Sequence, residues 1–224
     1  MRRWARESSL ALFFLAIFVA ALAGQALVGH SDFNDQQLAH DDPTVSLGRY
    51  LTSSAFMVDV MENWQSEYLQ FTLFIIATVW FVQRGSTESK PPADIGTESD
   101  EEQKVGPHAE PDSPQWARAG GWRLGVYSNS LLIVMTAIWL GTWFAQLVTG
   151  RVAYNADQLD HHQTGLSLWQ YAGSSDFWDR TLQNWQSEFL AVASIVLFSI
   201  WLRQRGSPQS KPVGEPHDTT GSEG

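Results

Sequence analysis

The chain of 224 residues contains no cysteine, which rules out a disulfide framework, a thiolate metal site and a cysteine nucleophile. Charge is scarce as well. Charged residues make up 17% and the net charge is -10, so the chain lacks the basic surface that a phosphate backbone requires, and nucleic acid is not an expected partner. None of the nine prolines falls within the four longest apolar runs. The mean hydropathy of -0.18 conceals those runs, because it averages them with very polar stretches.

The runs cover residues 9–28, 68–82, 129–149 and 189–202. The first and third have the roughly 20 residues that a hydrocarbon layer of roughly 30 Å requires. A cleaved signal peptide is an alternative for the first run, because Arg2, Arg3 and Arg6 precede it and Ala21-Leu22-Ala23 resembles a cleavage site. That alternative does not extend to the third run. A soluble helical core would show a polar stripe every 3.6 residues, and these runs show none. The second and fourth runs are short and end firmly at Gln83-Arg84-Gly85 and Arg203-Gln204-Arg205. Spanning therefore draws in residues from the other end, where the chain reads Asn63-Trp64-Gln65-Ser66-Glu67 and Asn184-Trp185-Gln186-Ser187-Glu188.

Eleven of the 14 basic residues fall on one side of this layout, leaving Arg49, Arg151 and Arg180 on the other. The positive-inside rule then predicts cytoplasmic termini and a cytoplasmic central segment. The two outward loops are acidic, and Trp80, Trp116, Trp122 and Trp201 fall at the expected cytoplasmic headgroup level.

An offset of 121 residues aligns positions 9–91 with 130–212 without a gap, and about 30 of the 83 pairs are identical. The identities include Gln25 with Gln146, Asn34 with Asn155, His40 with His161, Tyr50 with Tyr171 and the whole NWQSE pentapeptide. This pattern reads as an internal duplication of two-span hairpins in the same orientation. The expected organisation is a first repeat over 1–85, a disordered acidic linker over 86–115, a second repeat over 116–206 and a disordered tail over 207–224. The predicted class is all-α: four transmembrane helices with small helical extracytoplasmic caps. Short helices are predicted over about 31–39 and from Ser46, with the second span of the first repeat starting after Ser53-Ser54.

The segments FNxxQL, SLGRYLTSSAF, ENWQSEYLQ and QRGSTESKP, echoed by YNxxQL, SLWQYAGSSDF, QNWQSEFLA and RQRGSPQSKP, give the chain a family likeness. It resembles the bacterial membrane family known as domain of unknown function 6766, over nearly everything outside the linker and tail. The resemblance implies the architecture and a bacterial inner-membrane location, and it carries no activity.

Counting inward from the cytoplasmic ends puts Gln25 and Glu67 at one depth, about 24 Å up their helices, and Gln146 with Glu188 repeats the arrangement. An interhelical hydrogen bond between each pair is expected, with Asn63 and Asn184 as second partners. The same groups admit a functional use, in which Glu67 and Glu188 bind a proton, cation or amine at the outer mouth of the bundle. Phe56, Trp64 and Tyr68, like Phe177, Trp185 and Phe189, form a stripe that either packs on the first helix of its repeat or docks another membrane protein or a lipid. His40 and His161-His162 sit among acidic residues at a spacing that fits a solvated loop better than a metal site. No GxSxG, phosphate loop or Ser–Lys pair is present, so neither a cofactor nor an enzymatic activity is indicated. The expectation is a non-enzymatic membrane protein whose partners are the bilayer and another membrane protein or itself; a small proton- or cation-linked carrier is the alternative.

Overall fold

A computed structural model describes residues 2–221. Among them every regular element is helical: α1 (Arg2–Glu7), α2 (Ser9–Ala39), α3 (Leu47–Leu51), α4 (Ser54–Trp80), α5 (Gln115–Arg118), α6 (Trp122–Ser128), α7 (Ser130–Asp160), α8 (Leu168–Ala172) and α9 (Ser175–Trp201). Single 3-10 turns lie at Pro92–Asp94 and Gly106–His108. The bounds of α7, α8 and α9 each fall 121 residues after those of α2, α3 and α4.

Local chemistry sets these bounds. Ser46 Oγ accepts the Arg49 N–H, Ser53 Oγ the Phe56 N–H and Ser174 Oγ the Phe177 N–H, each satisfying an amide that the first helical turn leaves open. Helices α2 and α7 stop on a left-handed residue, Asp41 at φ 62° and His162 at φ 57°. Such a residue costs about 1 kcal/mol when it is not glycine, and here the backbone repeats although the side chain does not. The separate helix expected over 31–39 is instead the last part of α2, because neither a proline nor a left-handed glycine interrupts residues 28–31.

The chain divides into two compact units: residues 1–60 with 146–169, and residues 61–145 with 170–224. In the first, α3 packs on α2 through Tyr50, whose ring lies 5.8 Å from His30, 5.5 Å from Phe33 and 5.3 Å from Phe56. Gly29 makes this approach possible, since a β-carbon there would overlap the Tyr50 hydroxyl. Burial, with Asp59 and Asp32 adding, pushes the Tyr50 phenol above its usual range. Two asparagines secure the segments leading into α3 and α8. Asn34 accepts the Val45 N–H at 2.8 Å and donates to the Val45 carbonyl at 3.1 Å; Asn155 does the same to Leu166 at 2.7 and 2.9 Å.

The second unit buries small polar residues along with apolar ones. Thr72, Thr142 and Thr181 return their hydroxyls to the carbonyl four residues earlier, so each is satisfied within its own helix. After α4 and α9 the chain makes the same turn twice. Gln83 N–H donates to Ser89 Oγ at 2.8 Å and Gln204 N–H to Ser210 Oγ at 2.9 Å, while Gly85 and Gly206 sit at φ 88° and 79°, where only glycine is unstrained. The linker and tail boundaries expected at 85/86 and 206/207 fall inside these turns.

Among the described residues only α2 and α7 are long and apolar enough to cross a membrane. The four-span expectation therefore stands on two such helices, because α4 and α9 carry Asp59, Glu62 and Glu67, and Asp176, Asp179, Arg180 and Glu188, in their first halves.

Candidate functional site

The densest set of interacting side chains lies in the second unit, around the first half of α9. It starts from Ser174, whose cap aims Phe177 inward and sets Asp176, Arg180 and Thr181 at helical spacing. Tyr171, at 0% exposure, donates its hydroxyl to Asp176 Oδ2 at 2.7 Å. Arg180 Nε lies 3.6 Å from the same oxygen, and Arg180 Nη1 donates to Glu62 Oε2 on α4 at 3.0 Å. Three turns of helix thus meet in a chain of phenol, carboxylate, guanidinium and carboxylate.

An aromatic cluster adjoins this chain through Phe177, whose ring lies 5.8 Å from that of Tyr171. Trp143 on α7 lies 5.8 Å from Trp139, 6.1 Å from Phe177, 6.1 Å from Trp178 and 5.9 Å from Trp185. Trp185 Nε1 donates to Gln65 Oε1 on α4 at 2.9 Å, and Trp178 Nε1 donates to the Ala172 carbonyl at 3.0 Å. Indoles suit this position because they bring large apolar area and one donor each.

Burial, and then the hydrogen bond and charge of Asp176, push the Tyr171 phenol well above the usual tyrosine range. Its neutral form is thus favoured by folding. The resulting stability is complete below the unfolded pKa of about 10 and is lost as pH rises from there toward the folded value. In an alkaline absorbance titration of the detergent-solubilised protein, one late-titrating phenol should disappear in Tyr171→Phe. Retention of that late phase in the variant would refute the assignment.

The residues singled out from the sequence fall in several places. Gln25, Asn63 and Glu67 are exposed, Asn184 and Glu188 are half-buried, and Gln146 is fully buried. Asn184 Nδ2 donates to the Arg180 carbonyl of its own helix at 2.9 Å. Of the aromatic stripe, Phe56 and Phe177 are buried, Trp64, Tyr68 and Trp185 are half-buried, and Phe189 is exposed. Phe177 and Trp185 meet α7 through Trp143. His40 and His161 are helix-end residues, with ring nitrogens 2.9 and 2.8 Å from the Gln36 and Asp157 carbonyls.

Sequence reasoning missed Gln65, Glu62, Arg180 and Asp176. The buried face of α4 passes through Val58, Gln65, Leu69 and Thr72, at steps of seven, four and three, and that spacing could have pointed to Gln65. The charged members carry no such signal, because Asp176 and Arg180 replace Ala55 and Asp59 of the first half.

The two related asparagine clamps, the two glycine turns and the NWQSE-bearing helices are accompanied by a match over almost the whole chain. The sequence model of a family described as Domain of unknown function (DUF6766) matches residues 1–222. The chain belongs to this family. No curated protein matches it, and no solved structure does. DUF6766 membership names no reaction. Within the cluster the acids face a guanidinium and a phenol, the Trp185 and Trp178 donors end on an amide and a carbonyl, and Trp139 and Trp143 Nε1 are buried with no hydrogen-bond partner among the described residues, an arrangement that packs helices together.

Proposed function

We propose that the chain is an integral membrane protein of four helices, built as two tandemly duplicated hairpins of like orientation in a bacterial inner membrane. Residues 1–8, the central segment and the segment after α9 are cytoplasmic in this reading. Its role is non-enzymatic, in envelope assembly or partner binding, with the extracytoplasmic caps formed by residues 40–53 and 161–174 as the contact surface.

The observation that carries this reading is the surface of α2. None of its 31 residues is buried, and Leu10, Phe13, Phe14, Val19, Leu27 and Val28 are 59–71% exposed. Water-exposed apolar patches on soluble monomers rarely exceed a few hundred Å², and a helix apolar on every side is suited to hydrocarbon. Trp80, Trp122 and Trp201 project from the cytoplasmic ends at 57–69% exposure, which suits the headgroup layer. The matched element bounds and paired asparagine clamps support duplication.

The placement of Glu67 and Glu188 at matching positions, 121 residues apart in the two NWQSE segments, favours a second reading, a small proton- or cation-linked carrier. One experiment separates the two. Proteoliposomes with the wild-type chain and with Glu67→Gln plus Glu188→Gln are screened for proton and monovalent-cation flux, and tags placed before α1 and after α9 report topology. The assembly reading expects both tags inside, no flux, and a cross-linked partner retained by the double variant. Flux abolished by the double variant would establish the carrier instead, and tags on opposite faces would overturn the four-span topology.

A further inference from the structure

Identity between the halves lapses after Pro91 and Pro212, and no pair matches between 92–100 and 213–221, yet the backbone pattern continues. Lys90 Nζ donates to the Gly96 carbonyl at 3.3 Å and to Glu98 Oε1 at 2.8 Å. Lys211 Nζ donates to the His217 carbonyl at 2.8 Å and to the Thr219 carbonyl at 3.1 Å. Gly96 and His217 stand 121 residues apart, as do Glu98 and Thr219. Each half therefore closes with a loop drawn around a lysine, and no residue identity within the loops announces it.

The two loops solve the charge of their lysine differently. Lys90 has a carboxylate partner and keeps 30% of its side chain exposed. Lys211 is 1% exposed, and among the described residues it donates only to carbonyl oxygens, those of His217 and Thr219 together with Pro216 at 3.2 Å and Gly85 at 2.7 Å. An ammonium buried in this way needs several dipoles to replace its water, and the fourth comes from the turn of the first half. Around that contact, Gly85 N–H donates to Thr220 Oγ1 at 2.8 Å and Gly221 N–H to the Ser86 carbonyl at 3.1 Å. Ser86 and Ser199 hydroxyls lie 3.0 Å apart, and Arg203 Nη2 donates to the Glu215 carbonyl at 3.0 Å. The His217 carbonyl occupies the space that a β-carbon on Gly85 would need.

We propose that residues 215–221 form a strap, latched over the Gly85–Ser86 turn by the Lys211 ammonium, that ties the end of α4 to the end of α9 and opens as a unit while both helices stay folded. Polar contacts at a surface segment, with few apolar ones, are the composition of a low-stability cooperative unit. The strap does not depend on the membrane reading.

The repeat supplies its own controls. Gly85 and Gly206 share a left-handed φ, but a β-carbon on Gly206 meets nothing within 4 Å. Gly85→Ala therefore adds strain and evicts the strap, whereas Gly206→Ala adds strain alone. Hydrogen exchange by mass spectrometry on the full chain in detergent micelles reads the outcome from peptides covering 213–221. Gly85→Ala and Lys211→Met are expected to accelerate exchange there by roughly tenfold or more, from loss of several charge-assisted or amide hydrogen bonds. Gly206→Ala and Lys90→Met should leave it unchanged, and peptides from α4 and α9 should keep their protection in Lys211→Met. Equal acceleration in both glycine variants, an unchanged strap in Lys211→Met, or a loss of protection extending through α4 and α9 in that variant would each overturn the proposal.

Discussion

Replacing both Asn34 and Asn155 with alanine should lower stability by about 3 kcal/mol, with Asn155→Ala supplying about 2 and Asn34→Ala about 1. Each side chain makes two hydrogen bonds to one backbone residue, and a net value of about 1 kcal/mol per bond sets the scale. The inequality comes from the neighbours. The Val45 carbonyl keeps His30 Nε2 at 2.7 Å when Asn34 is truncated, whereas the Leu166 amide and carbonyl both lose the asparagine partner when Asn155 is. The clamps share no residue, so the two losses should add. Chemical unfolding in detergent micelles measures all three variants. A coupling above about 1 kcal/mol would show that the two caps do not fold independently.

Trp143→Ala should cost about 3 kcal/mol, near the low end for removing a large aromatic from a packed site, because Trp143 is half-buried rather than fully enclosed. Its ring has four aromatic neighbours, and the stack on Trp139 is within 14° of parallel. Near-UV circular dichroism should lose most of its tryptophan band in the same variant, since fixed ring pairs produce that signal. Trp201→Ala removes an indole that is 57% exposed, and its stability should stay within about 0.5 kcal/mol of wild type. If the two substitutions cost the same, the cluster around Trp143 is not what holds α7 to α9.

Much of the helix layout is legible in the sequence. Ser46 and Ser53 mark helix starts because a serine hydroxyl readily accepts from an open amide, and α3 and α4 begin next to them. The offset of 121 predicts that the second half repeats whatever the first half does, and the helix bounds follow that offset. The site is less legible. Gln25 and Glu67 stand out as polar residues in apolar surroundings, but depth along a helix says nothing of azimuth, and both side chains are exposed. Gln65, two positions from Glu67 and on the buried face, receives the Trp185 donor instead. At residues 86–98 and 207–219 serine and lysine side chains bond to nearby backbone, local contacts that composition does not announce.

Sequence alone determined the helical class, the four apolar runs and the 121-residue register between the two halves, because periodicity and capping are properties of short segments. Tertiary structure decided which residue of each matched pair finds which partner: Tyr171 rather than Tyr50 hydrogen-bonds the carboxylate of Asp176, and Lys211 rather than Lys90 crosses to Gly85. Identical side chains acquire different partners because a partner is set by what a neighbouring helix or loop brings within about 3 Å, and no offset within one chain encodes that distance.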